Sequence, residues 1–173
     1  MHDLGLAAWF GGSLFGAVGL NGASAAVSNP ADRVTVANAG WARWAPVNAA
    51  AIGVHAIGGI ALIVGNKGRV AAQSGTRGNT VVKGALTLAA MGVTFYSGTQ
   101  GARLAKESPT PAASGVDPTP ATDPAAAAAQ KQLKLLQWSI PVLTGVLLVL
   151  GAQQGEQQKG SQVAKGLLGA FGK

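Results

Sequence analysis

The chain alternates between long apolar runs and polar connectors, and this pattern predicts four membrane-spanning helices. A helix needs roughly 20 residues to cross a hydrocarbon core about 30 Å thick. Four runs are long enough and almost free of Asp, Glu, Lys and Arg. We place the spans at residues 4–27, 45–65, 82–101 and 133–153. The predicted fold is all-α, with residues 1–173 forming a single membrane domain.

The connector between the first two spans predicts a further short helix that lies along the membrane surface. Asn29 suits an N-cap, and Pro30 then occupies the first helical position. Aromatic and basic side chains are enriched where hydrocarbon meets headgroups. Beside two spans, this pattern favours lipid over nucleic acid as a partner. Four residues are assigned to the membrane interface: Trp41, Arg43, Trp44 and Trp138.

The other connectors differ in composition, and each predicts a different environment. Residues 66–83 carry four basic residues and no acidic one, as short cytoplasmic loops do. Residues 104–129 hold five of the eight prolines, so we expect an extended spacer or a strap laid over a partner. Residues 159–173 combine lysines with an apolar helical face, which predicts a tail docked on anionic headgroups or on a partner.

Composition supports a membrane protein and removes several kinds of site. Only 11% of the residues are charged and 48% are hydrophobic, a balance unusual for a water-soluble domain. The chain has no cysteine, which excludes disulfides and thiolate metal ligands. No GxSxG or HExxH motif occurs, and no carboxylate lies within a predicted span. We therefore predict that the protein is not an enzyme and holds no cofactor.

Small residues recur on one face of each of the first two spans. Gly12 and Gly16 form a GxxxG pair in the first span, which lets another helix backbone approach closely. Ala51, His55 and Gly59 follow one another at four-residue intervals in the second span and so share a face. We predict that both stripes are helix-packing surfaces, with His55 turned toward a groove of small residues.

His55 is the histidine inside an apolar run, and several roles are open to it. An imidazole in a helix interface needs a hydrogen-bond partner, and Thr87, Thr94, Tyr96 or a backbone carbonyl could provide one. A contact with a quinone headgroup, a lipid or a partner subunit is an alternative. Haem ligation would require His2 at the same depth, but His55 lies more than about 10 Å below the start of its span at 1.5 Å per residue. We expect the two histidines to lie apart.

The first helix offers a resemblance to known proteins. The stretch HDLGLAAWFGGSLFGAVGLNGA, residues 2–23, resembles the first helix of small polytopic membrane proteins of actinobacteria. That resemblance implies a bacterial plasma-membrane protein of the kind found as an additional subunit beside larger assemblies, respiratory ones among them. It assigns no functional residue.

Two functional hypotheses follow. The first is an accessory subunit, structural or assembly-related, of a larger plasma-membrane complex, with other membrane subunits and anionic lipid as partners. The alternative is a small homo-oligomeric carrier or channel in which His55, Thr87 and Thr94 line a path. Lys and Arg number seven on the side of the N-terminus and six on the other. The short basic loop favours cytoplasmic N- and C-termini.

Overall fold

Four long helices make up the part of the chain that the computed structural model describes, residues 1–68 and 74–157. They are α1 (His2–Ser24), α2 (Arg33–Gly65), α3 (Ser74–Lys106) and α4 (Pro124–Gln157). No strand occurs within the described ranges. Each helix contains a stretch long and apolar enough to cross a membrane. The predicted all-α fold with four such helices is confirmed.

The turn between α1 and α2 begins as predicted, but the helix that follows differs from the prediction. The Asn29 side chain accepts a hydrogen bond from the amide of Ala31, and Pro30–Asp32 form one 3₁₀ turn. The predicted surface helix does not form a separate element, because residues 33–44 are the first part of α2. The helix has one buried face, which continues past Pro46. Its residues have the spacing of a single helical face: Val34, Ala37, Asn48, Ala51 and His55.

α1 lies at the centre of the bundle and packs against both α2 and α4. α3 packs mainly against α4 and makes few contacts with α2, although the two helices are neighbours in sequence. α1 itself is α-helical to Phe15, then makes a π-helical turn at Gly16–Leu20. At 33 or 34 residues each, the other three helices are about 50 Å long. They are therefore longer than a hydrocarbon core.

Close approach between α1 and α2 depends on glycine. A Cβ atom built on Gly5 would lie 2.5 Å from the Ala51 carbonyl oxygen and 2.7 Å from the His55 amide nitrogen. A Cβ atom on Gly58 would lie 2.8 Å from the backbone nitrogen of His2. All three distances are to backbone atoms, which cannot rotate out of the way. The two helix backbones are therefore in direct contact at this end.

Two clusters of buried apolar side chains stabilise the two halves of the bundle. The first lies in the half that contains the start of α1, and its buried members are Leu6, Trp9, Ala51, Ala90, Ile140 and Leu147. The second lies at the opposite end, where the helices meet the connector between α3 and α4, and its buried members are Val34, Leu104, Ala112, Val116, Ala126 and Leu133.

The Pro/Ala-rich region folds back onto the helices. α3 continues to Lys106 and α4 begins at Pro124, so the predicted connector of residues 104–129 is reduced to residues 107–123, here called the cap segment. The Ala112 amide donates to the Pro30 carbonyl, and the Gly115 amide donates to the Ser24 hydroxyl. The segment therefore packs on its own chain, a position that its proline content alone did not predict.

Arg33 ties the cap segment to the first two helices. Its guanidinium donates to the carbonyls of Val27, Ala112 and Ala113 at 2.9–3.3 Å. Three backbone acceptors from two separate stretches of chain thus share one side chain. Because these carbonyls lie outside regular helix, Arg33 supplies bonds that they would otherwise have to form with water.

An exposed ion pair joins the cap segment to α4. The Lys134 ammonium donates to Asp117 at 2.6 Å, and this bond holds the pKa of the carboxyl below its ordinary value. The Ser114 hydroxyl donates to the other carboxylate oxygen and acts in the same direction. Since both ionic side chains are about half exposed, the pair contributes little to stability.

The predicted amphipathic tail, residues 159–173, lies outside the described residues.

We expect Gly5→Ala to destabilise the protein and Gly11→Ala to leave it as stable or more so. Both replacements gain about 1 kcal/mol of helix propensity. At Gly11 a Cβ atom meets nothing, whereas at Gly5 it overlaps backbone, and such overpacking costs about 1–3 kcal/mol or more. Thermal unfolding of both variants in mild detergent tests this. Equal unfolding temperatures for the two variants would contradict the close contact.

Candidate functional site

His2 and His55 form a stacked pair between the first turn of α1 and α2. Their ring centroids are 4.0 Å apart and the ring planes differ by 19°. His2 Nδ1 lies 2.8 Å from the His55 carbonyl oxygen, and His55 Nδ1 lies 3.2 Å from the His2 carbonyl oxygen. The side chain of each histidine is thus bonded to the backbone of the other. His55 is only 2% exposed.

The acceptors fix which ring nitrogens carry hydrogen. A carbonyl oxygen can only accept, so Nδ1 must donate in both rings. In the neutral imidazole of His55, Nε2 is then an acceptor, and its neighbour at 3.4 Å is the Thr87 hydroxyl. The Trp9 ring meets His55 edge-on, with centroids 6.2 Å apart. Every nitrogen of the His55 ring therefore has a partner within the bundle.

The expectation that the two histidines lie at different depths is wrong. Because α1 and α2 are antiparallel, the first turn of α1 lies beside the last third of α2, where His55 is located. Gly58 and Gly59 leave room there for the backbone and ring of His2. Stacking at 4.0 Å leaves no space for a metal ion between the rings. In the described part of the chain, no group of three or more His, Cys, Asp or Glu residues could hold a metal ion.

A second hydrogen-bond chain links α1 to α3 about two turns deeper. The Trp9 indole donates to the Thr94 hydroxyl at 3.2 Å, and that hydroxyl donates to the Ala90 carbonyl at 2.8 Å. Thr87 therefore contacts the histidine pair, whereas Thr94 contacts Trp9. The bond between His55 and Thr87 connects α2 to α3, and the bond between Trp9 and Thr94 connects α1 to α3.

The residues predicted to pack helices lie along the contact between α1 and α2. A methyl group at Gly12 would overlap the ring of Trp44, and one at Gly16 would overlap the ring of Trp41. Ala51 is buried opposite Gly5, and Gly59 faces the His2 ring. The small residues of α1 thus receive large aromatic rings from α2.

The residues predicted at the membrane interface share one level of the bundle. The Trp41 indole donates to Asn21, and the Asn21 amide donates to Gln137, which precedes Trp138. Arg43 is exposed and donates to the Ala39 carbonyl of its own helix. The rings of Trp41 and Trp44 lie against α1, an inward contact that the sequence did not predict. This level separates the two apolar clusters.

A cavity of about 320 Å³ lies at this same level, between α2 and α3 with α4 behind it. Its wall consists mainly of small and apolar residues. Three polar atoms on α2 residues lining it are buried without a protein partner: Asn38 Nδ2, Trp44 Nε1 and Asn48 Oδ1. The sequence interpretation missed this cavity. The available signal was a pair of asparagines, Asn38 and Asn48, in a helix composed mainly of apolar residues.

Comparison of the chain with protein-family models, with curated proteins and with solved structures gives no match.

We expect His55→Ala to lower the free energy of unfolding by about 2–4 kcal/mol, because it opens a cavity and leaves the His2 carbonyl and Thr87 without a partner. Ile57→Ala is the control, since Ile57 lies on the same helix but is 71% exposed. Thermal unfolding in mild detergent measures both. A double-mutant cycle with His2→Ala should give a coupling energy of about 0.5–3 kcal/mol. Additive effects would show that the stacked rings do not stabilise each other.

Proposed function

We propose that the protein is an accessory subunit of a larger complex in a bacterial plasma membrane, and that respiratory assemblies are among the complexes to test. In this role it would pack against other membrane subunits and would carry out no reaction itself. The support comes from the outer surface of α3 and from the way the polar side chains are used.

The outer face of α3 is the observation that carries the proposal. Only 11% of its most apolar window is buried within the chain, the lowest share of the four helices. Leu88 and Phe95 are 69% and 76% exposed, and Gly92 lies between them with nothing near a built Cβ atom. The result is an apolar face with a notch at its centre.

A notch of this kind suits a protein helix better than lipid. Association between membrane helices relies on close packing, because lipid tails are as apolar as leucine side chains. Small residues at a helix surface allow that packing, and large neighbours on either side fit around a partner helix. Gly92 flanked by Leu88 and Phe95 provides both features, so the outer face of α3 is our proposed docking surface.

The polar side chains support a structural role over the alternative of a carrier. A transport path requires groups that bind and release a solute in turn. His55 is instead bonded to Thr87 and to the first turn of α1, and Thr94 is bonded to Trp9 and Ala90. These bonds hold helices together, which is the use an accessory subunit needs.

Lipid contacts complete the proposal. We place one boundary of the hydrocarbon core at the level of Trp41, Arg43, Trp44 and Trp138, with the cap segment outside the core. Aromatic and arginine side chains are favoured at such a boundary, where anionic headgroups are available. The other boundary then lies near the short basic loop after α2.

Co-purification tests the docking surface. We expect the wild-type chain, extracted in mild detergent, to elute with a large assembly in fixed stoichiometry. Gly92→Leu fills the notch and should reduce that recovery several-fold. Gly11→Leu is the matched control, because Gly11 is an exposed glycine of α1 with equally open space around it. Recovery of a discrete homo-oligomer alone would favour the carrier, and equal recovery of both variants would refute docking through α3.

We further propose that the ends of the bundle holding Met1 and Gln157 face the cytoplasm, because the basic loop after α2 lies at that end. The absence of cysteine makes the test direct. Lys67→Cys and Ala121→Cys introduce one exposed thiol at each end. A membrane-impermeant maleimide should label Ala121→Cys in intact cells and Lys67→Cys only after lysis. The reverse pattern would invert the orientation.

A further inference from the structure

The cavity between α2 and α3 has the features of a binding site, and its polar lining indicates the kind of ligand. Its unpaired atoms are the Asn38 amide nitrogen, the Trp44 indole nitrogen and the Asn48 amide oxygen. Asn48 is only 8% exposed. A buried polar atom without a partner costs about 1–3 kcal/mol, so three of them on one cavity wall call for a ligand that pairs with them.

Three other polar side chains of the wall are already engaged. The Trp41 indole donates to Asn21, and Gln137 accepts from the same asparagine. The Thr94 hydroxyl is bonded to Trp9 and to the Ala90 carbonyl. The fully buried unpaired atoms of the wall belong to three side chains of α2, which offer two N–H donors and one carbonyl acceptor. Ser13 and Ser97 add one hydroxyl each from α1 and α3.

The charge of the cavity restricts the ligand further. None of the described residues that line it is Asp, Glu, Lys, Arg or His. A phosphate or an ammonium group bound there would be desolvated without a counter-charge, at a cost of several kcal/mol. The ligand therefore has a neutral polar group that can both accept and donate hydrogen bonds.

The position and shape of the cavity point to a lipid. Asn38 and Asn48 are ten residues apart on α2, which separates them by about 15 Å along the helix axis. The volume of about 320 Å³ has room for about ten water-sized groups, enough for a small headgroup and part of a single chain. Because α2 and α3 make few contacts, the cavity is open between them. Gly98 and Ala102 on that side carry no bulk that could close it.

We propose that this cavity binds an uncharged, single-chain lipid whose polar group carries a hydroxyl and a carbonyl, of the monoacylglycerol class. The carbonyl of the lipid accepts from the Trp44 indole, and its hydroxyl donates to Asn48, one helical turn away. The chain follows the apolar wall and leaves toward the bilayer between α2 and α3. This site is independent of the docking surface on the outer face of α3.

Photolabelling of the full-length protein in membranes tests the site. The probe is a monoacylglycerol with a diazirine in its acyl chain, and the comparison probe is a lysophosphatidylglycerol with the same chain. The neutral probe should label residues 38–48 and 94–105, and unlabelled monoacylglycerol should compete with it. The charged probe should label only exposed faces such as that of Leu88 and Phe95.

Two variants and a control make the result specific. Asn48→Leu removes the acceptor and keeps the number and branching of side-chain heavy atoms, and Gly101→Leu fills the cavity at a position where a built Cβ atom meets nothing. Each should reduce labelling within the cavity about ten-fold, the effect of losing roughly 1.4 kcal/mol of binding energy. Gly84→Leu is the control, since Gly84 has equally open space on α3 but does not line the cavity.

The folding of the variants is measured separately. Without added lipid, Asn48→Leu should unfold at a temperature equal to or above that of the wild type, because it removes a buried unpaired oxygen. Labelling that persists in both variants would overturn the proposal, as would equal labelling of the cavity by the charged probe. Absence of competable labelling there would mean that water alone pairs with the three atoms, which would also overturn it.

Discussion

The backbones of α1 and α2 touch only where side chains are absent, and the rest of the bundle depends on that contact. Gly5 places α1 against the Ala51 carbonyl and the His55 amide, and Gly58 leaves room for the backbone of His2. Further along, Gly12 and Gly16 leave space for the rings of Trp44 and Trp41. The distance between the two helices therefore widens from backbone contact to the thickness of an indole ring, and this change sets the shape of the interior.

Polar side chains occupy the places that this shape creates. Where the backbones touch, His2 and His55 each reach the carbonyl of the other helix. Where the rings of Trp41 and Trp44 separate the helices, Asn21 bridges to Gln137. Asn38 and Asn48 instead line the cavity between α2 and α3, where the two helices make few contacts. Whether a buried amide is paired thus depends on which neighbour it faces.

The four long apolar helices could be predicted because apolar length is a local property of the sequence. The N-cap at Asn29 could be predicted for the same reason, since capping involves residues two positions apart. The sequence did not show that Pro46 would lie within one continuous helix, because the buried stripe through it is recognisable only once Val34 and His55 are known to share a neighbour. Nor did it show that His2 meets His55, which depends on how far antiparallel helices slide past each other. The cavity escaped prediction because it results from two helices that are in contact over only part of their length.

The cap segment has a consequence for how the protein is made. Its contacts join residues near the end of α1 and the start of α2 to residues 79–91 positions later in the sequence: Arg33 to Ala112 and Ala113, and Ser24 to Gly115. Contacts between segments so distant in sequence form late, because the intervening chain must first be ordered. During synthesis the first two helices must therefore remain without their cap until α3 is complete. The second apolar cluster, which includes Val34 and Ala112, can close only then, so it acts as the final step of assembly.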